Sequence, residues 1–295
     1  MNMHLKYFTA PLAETSKPHL ILVQIQCGTH TLCVLLDTGA PTSVIKAHAV
    51  KRLNLHTHRK ENAAPDDDGE DTEYATIPLL SLGDFTWTNL QPSVDHREDS
   101  SLLHHGRTLD GVFGCDLMND LCWLFEPTRR QFHVCTPNHP FLKQWTQDAH
   151  HTTIHKHTLG SYAGNVWATQ AFLNGQGPIH TDLDTGAQRT LLNTLSGAFL
   201  DPNTPREPIR LSNGGDITNV SSYRTQARTL TIAHVTFQDP LIAVCDPIFS
   251  IDPPLLKKPA ILLGSDLLGQ HRYGFDFLNG HFWIHPAENH SSTPQ

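Results

Sequence analysis

A four-residue motif occurs twice in the chain, as Asp37-Thr38-Gly39-Ala40 and as Asp184-Thr185-Gly186-Ala187, each time at the end of an apolar run. The copies stand 147 positions apart in 295 residues, so a fold that uses both must join points half a chain apart. The repetition reaches well beyond four residues. Asp110-Gly111-Val112-Phe113-Gly114-Cys115-Asp116-Leu117 follows the first motif, and Ala260-Ile261-Leu262-Leu263-Gly264-Ser265-Asp266-Leu267 follows the second. An offset of 150 relates Gly114 to Gly264, and the same offset relates Trp123, Phe125, Glu126, Phe132 and Val134 to Tyr273, Phe275, Asp276, Phe282 and Ile284. One Asp-Thr-Gly most often closes a turn. Two copies, each with its apolar-apolar-Gly partner about 80 residues downstream, make a specific pattern.

The repeat predicts two lobes: residues 1–145, a connecting segment 146–162, and residues 163–295. A charged fraction of 17% with turn residues throughout predicts an all-β protein, and 38% hydrophobic content with five Trp supplies real cores. Net charge is −8 with no basic block, which argues against nucleic acid as a partner. No apolar stretch approaches membrane-spanning length. The N-terminal stretch lacks the basic-then-apolar layout of a secretory signal. A cytoplasmic location is therefore expected, with export to a periplasm as the alternative. Cys33, Cys115, Cys122 and Cys245 lie in apolar contexts, where free thiols are expected. Protonating all 21 histidines would swing the net charge from −8 to +13, although a polar surface that happens to use His explains their number as well.

In chain order, residues 1–17 read as an extended arm and 19–26 as a strand. After a turn at Cys27-Gly28-Thr29, residues 30–37 return as its hairpin partner. Residues 44–55 suit a short amphipathic helix. The acidic stretch 60–73 has Gly69 as a hairpin tip, and Gly83-Asp84 turns the next pair of strands. Residues 136–160 read as a Pro- and His-rich connection. The second half repeats the plan, with Asn174-Gly175 as a hairpin turn, a short helix in 191–200, a hairpin tip at Asn213-Gly214-Gly215-Asp216 and a turn at Asn279-Gly280.

Two Asp carboxyls about 3 Å apart cannot both ionise readily, so they share a proton. The ionised member can activate a water while the protonated member donates to a carbonyl oxygen. Gly39 and Gly186 permit a tight turn that offers an N–H to the carboxylate. Thr38 and Thr185 are small hydroxyls suited to bonding across an interface between the halves.

These residues resemble the aspartic peptidases of the retropepsin-like and pepsin-like clan. The DTGA form, the short halves and the short spacing from each motif Asp to its hairpin tip are most similar to a retropepsin-type subunit. Two copies are fused here, as in single-chain bacterial relatives. The resemblance covers about residues 19–135 and 163–285. It implies a bilobal acid-protease fold of two pseudo-twofold-related, β-barrel-like lobes with a short helix each, and a catalytic dyad of Asp37 and Asp184. Thr38, Gly39, Ala40, Thr185, Gly186 and Ala187 would support the active-site loops. Val112-Phe113-Gly114 and Leu262-Leu263-Gly264 would thread beneath them. Hairpin flaps near 66–74 and 213–223 would close over an extended peptide, with Gly69, Tyr74, Gly214, Gly215 and Tyr223 as candidate contacts; packing roles explain the two tyrosines equally well.

The sequence departs from the pattern at three places. Retroviral enzymes commonly carry Arg near the downstream glycine, where Asp116 and Asp266 stand here. Asp182 lies on the same strand face as Asp184, where the first half has Leu35; a third carboxylate there could raise the upper pKa of the pair, but it is expected to point to solvent. The first flap is far more acidic than the second. Ala40 and Ala187 lack the hydroxyl of a Ser or Thr, which predicts a mildly acidic optimum. His150, His151, His155 and His157 suggest a metal site only weakly: His151 and His155 have i, i+4 spacing, but their surroundings suggest coil and no carboxylate pair accompanies them. No metal or other cofactor is expected. The chain reads as an aspartic endopeptidase acting on polypeptides and active as a monomer, with a non-cleaving or latent peptide-binding module as the alternative.

Overall fold

The computed structural model describes residues 6–13, 20–59, 72–97, 109–159, 164–213, 216–246 and 253–286. Among the described residues strands dominate, and they form three sheets.

The first sheet belongs to the first half. Leu22–Cys27 and His30–Leu36 form a hairpin whose buried positions alternate with exposed ones along Leu22–Cys27, the pattern of a half-buried strand. The sheet continues through Gly111–Phe113, Val44–Lys46, Ser93–Asp95, Glu73–Leu82 and His56–Arg59. Leu22–Cys27 also pairs with Glu73–Leu82, which curls the sheet on itself. The second half builds a ten-stranded sheet on a related plan. Its leading hairpin, Asn165–Leu173 with Gln176–Leu183, turns at Asn174 and Gly175, whose φ values of 52° and 78° are the pair a two-residue hairpin turn needs.

The two halves share one topological device. Gly111–Phe113 runs parallel to the strand that ends at Leu36 and antiparallel to Val44–Lys46. Ala260–Leu263 runs parallel to the strand that ends at Leu183 and antiparallel to Leu191–Leu192. In each half the apolar-Gly strand is thus inserted beneath the loop carrying the motif Asp.

The third sheet spans both halves in the order Tyr7–Pro11, Gln131–Cys135, Cys122–Glu126, Tyr273–Asp276, His281–Ile284, His150–Thr153. At its centre Trp123 pairs with Phe275 and Phe125 with Tyr273, so residues offset by 150 meet crosswise. These aromatic side chains are fully buried, and each contributes roughly 2–3 kcal/mol by area. One contiguous apolar cluster runs from the first sheet through this one into the second.

Three expectations are corrected. The arm is a strand from Tyr7 to Pro11, laid along the edge of the shared sheet; Pro11, lacking an N–H, is tolerated at such an edge. The helices are shorter than expected, Ala47–Leu53 and Thr194–Gly197, because Val44–Lys46 and Leu191–Leu192 pair as strands first. The His-rich connection is also regular: after the helix Pro140–Trp145, His150–Thr153 edges the shared sheet and His155–Thr158 pairs with Asn165–Leu173. Its partners supply the ladder, so apolar alternation was not needed.

None of the six cysteines is in a disulfide. No helix among the described residues is long and apolar enough to cross a membrane.

His285 and Glu126 each contribute stability that is lost in acid. His285 is 7% exposed and packs edge-on against Trp145, with ring centroids 4.6 Å apart. Burial, reinforced by the Arg272 charge, pushes its pKa from 6.5 down to about 4. The unfolded chain takes up this proton near pH 6.5 and the folded one resists until about pH 4, so stability is lost as pH falls through that window. The loss expected by pH 4 is on the order of 3 kcal/mol. Glu126 extends the effect: burial raises its pKa, but His133, Arg272 and Trp145 outweigh this and hold it at about 2, so its contribution is lost as pH falls from 4.5 toward 2. Urea denaturation at pH 7 and at pH 4.5 will show the drop, and His285→Gln will flatten it.

Candidate active site

The strands deliver Asp37 and Asp184 to one place. Asp37 N–H donates to the Phe113 carbonyl (2.9 Å) and Asp184 N–H to the Leu263 carbonyl (3.0 Å), so each Asp is anchored on the inserted strand beside it. The two carboxyls are hydrogen-bonded to each other and keep partial access to solvent. Asp37 Oδ1 accepts from Gly39 N–H (2.8 Å), and Asp184 Oδ1 accepts from Gly186 and Ala187 N–H, both at 2.8 Å.

The threonines knit the two loops. Thr38 Oγ1 donates to the Leu183 carbonyl (2.6 Å) and accepts from Thr185 N–H (3.1 Å). Thr185 Oγ1 donates to the Leu36 carbonyl (2.7 Å) and accepts from Thr38 N–H (3.1 Å). Both threonines are 0% exposed, so every member of this ring is satisfied without water. Thr38→Val keeps the shape but leaves a buried carbonyl and a buried N–H unpaired. It is expected to cost about 3 kcal/mol in a denaturant titration, while Thr38→Ser stays within about 1 kcal/mol.

Gly39 and Gly186 are needed for a reason the sequence did not disclose. Neither is among the described glycines with positive φ. Instead, a Cβ on Gly39 would sit inside the carboxylate of Asp184, and one on Gly186 inside that of Asp37. Each glycine makes room for the opposite lobe's carboxyl.

Gly114 and Gly264 are close-packed too: a Cβ there would overlap the carbonyl of Ala40 or of Arg189. Their loops carry a buttress that the sequence reading missed. Ser43 Oγ donates to Asp116 Oδ1 (2.6 Å) and accepts from Gly114 N–H (3.1 Å). Thr190 Oγ1 donates to Asp266 Oδ1 (2.8 Å) and accepts from Gly264 N–H (3.1 Å). The signal was present, since Ser43 and Thr190 stand at the motif's own offset of 147 and Asp116 and Asp266 at 150. Both carboxylates act within their own half.

The electrostatics come from this packing. Burial raises the pKa of Asp37, against the hydrogen bond from Asp184 and the loop N–H groups of Gly39, Ala40 and Gly186. Burial also raises Asp184, well above the usual range, and the charge of Asp37 drives it further. A pair of this kind holds one proton where isolated aspartates would hold none. Ala40 and Ala187 contribute backbone N–H groups, with no hydroxyl to add.

Other expected site residues lie further out. Tyr74 is at the base of its hairpin, stacked on His58 at 6.1 Å. Tyr223 packs against the core beneath Arg206, at 4.9 Å. Gly69, Gly214 and Gly215 lie outside the described residues, as does the first hairpin's acidic tip. The second hairpin is paired from Glu207↔Arg224 to Asn213↔Asp216. Asp182 does not point to solvent. It is buried and bonded to His157 and His180, because small Ala168 on the neighbouring strand lets side chains meet above it.

Residues 22–117 match the model of a family described as aspartyl protease. The crystal structure of an aspartic proteinase from Irpex lacteus has a similar fold, with a TM-score of 0.51 and 14% identity, over 98% of this chain and 100% of that one. No curated protein matches the sequence. At such low identity the structural likeness speaks for the fold, while the family match speaks for the segment holding the first motif. The chain thus carries, in its first half, a segment similar to the aspartyl protease family, within a two-lobed β fold similar to that of an aspartic proteinase.

Proposed function

We propose that the protein is an aspartic endopeptidase that hydrolyses peptide bonds of an extended polypeptide with Asp37 and Asp184. The observation that carries this reading is the reciprocal seating of the two carboxyls, hydrogen-bonded to each other, each set over the other lobe's glycine. In the reaction, the ionised carboxyl takes a proton from a water as its oxygen adds to the scissile carbonyl carbon. The protonated carboxyl gives its proton to the carbonyl oxygen. Collapse of the tetrahedral intermediate then returns a proton to the leaving amine. Thr38, Gly39, Ala40, Thr185, Gly186 and Ala187 hold the geometry, and the strands ending at Gly114 and Gly264 support it from below. The substrate lies between the lobes as an added strand against the strand pairs of 56–59 with 73–76 and of 207–213 with 216–226. Tyr74 and Tyr223 flank it at the hairpin bases. Because one chain holds both carboxyls, a monomer suffices.

The test is cleavage of an unbiased peptide library by the purified protein across a pH series. Activity is expected to peak in the mildly acidic range and to fall on both sides, as the pair loses its one proton or gains a second. A folded protein that cleaves nothing at any pH would replace this reading with a peptide-binding module of the same fold.

A further inference from the structure

Two residues before Asp184, the strand Gln176–Leu183 takes part in a second polar cluster. Asp182 and His180 share one face of it, and His157 reaches the same point from His155–Thr158, across the strand Asn165–Leu173. Asp182 Oδ1 lies 3.0 Å from His157 Nδ1 and 2.9 Å from His180 Nε2, and these two nitrogens lie 2.9 Å from each other. Three ligand-type atoms from three side chains thus form a nearly equilateral triangle.

Hydrogen bonding alone cannot satisfy that triangle. If both nitrogens carry protons directed at Asp182, they face each other as two donors. If one accepts from the other, its own contact with Asp182 sets lone pair against lone pair. A cation beside the three atoms satisfies all of them at once, with both nitrogens unprotonated and the carboxylate ionised. Zinc bonds of about 2.0–2.1 Å in a tetrahedron place neighbouring ligand atoms roughly 3.3 Å apart, a few tenths of an ångström wider than found here. Two imidazoles and a carboxylate are a donor set for zinc and its neighbours rather than for magnesium or calcium. The side chains are 10–15% exposed, which leaves an open side for entry and for a water ligand.

The first half shows that the fold does not need polarity here. At the offset of 147, Cys33 and Leu35 stand in place of His180 and Asp182, and Leu35 is buried in an apolar cluster with Leu20, Leu22 and Leu109.

We propose that His157, His180 and Asp182 bind one divalent transition-metal ion of the zinc type. The ion ties the strand that connects the two halves to the strand that leads into Asp184. The inference does not depend on proteolysis and is read from binding alone.

Protein stripped with a chelator would be titrated with Zn²⁺ by calorimetry and with Co²⁺ by visible absorption. One tight site per chain is expected, with d–d bands for Co²⁺ and a rise in Tm on adding Zn²⁺. His157→Ala and Asp182→Leu, the latter installing the residue of the first half, should each weaken that site at least about tenfold. His150→Ala and His151→Ala, which lie outside the triangle, should leave it unchanged. The absence of d–d bands in the wild type would overturn the proposal whatever the variants do. So would zinc binding that is equal in wild type and a folded His157→Ala, since the surface histidines would then account for it.

Discussion

Gly186→Ala and Gly39→Ala are each expected to lower cleavage by at least about 100-fold while leaving a folded but less stable protein. The cause is space. The added methyl at either position would occupy the volume of the opposite carboxylate. That carboxylate must swing aside or the loops must separate, and either response opens the dyad. Overpacking of this kind costs about 1–3 kcal/mol, and a displacement near 1 Å at reacting groups is enough for the rate loss. The activity and the urea midpoint should fall together in both variants, because the two sites are reciprocal. An alanine variant with unchanged activity would mean that the carboxyls do not depend on this seating.

Asp37→Asn is expected to abolish cleavage, by at least about 10³-fold, and to raise Tm at neutral pH. The two effects share a cause. Burial, which outweighs the hydrogen bonds from Asp184 and the loop N–H groups, makes the protonated form of this carboxyl easier to hold in the fold than in the unfolded chain. Its contribution is therefore most favourable in acid and is lost as pH rises through the folded-state pKa. Asparagine removes a buried charge that has a like charge beside it and keeps the shape, so the fold gains where the chemistry is lost. Loss of activity together with a lower Tm would point to disruption rather than to loss of the reacting group.

Much of this was legible in the amino-acid order because a two-fold arrangement writes itself twice. Asp37 and Asp184 stood out through their shared offset, and so did the apolar stretches that end at Gly114 and Gly264. Asn174-Gly175 named its own turn, since few other residues accept positive φ at both positions. What stayed hidden was set by long-range partners. His150–Thr153 is a strand because Phe282, Trp283 and Ile284 lie beside it, about 130 residues later. Asp182 looked like a solvent-facing residue because its partner His157 comes from a segment with no periodicity of its own. The requirement for Gly39 looked like a question of backbone angle, whereas the obstacle is an atom from the other half of the chain.

The most direct test of the central claim compares cleavage of one peptide library by wild type, Asp37→Asn and Asp184→Asn, each confirmed as folded. Cleavage by the wild type and loss in both variants, at every pH, is the result expected of one site built from two halves. Cleavage that survives in either variant would show that the two carboxyls do not act together, and a dyad shared between the lobes would be ruled out.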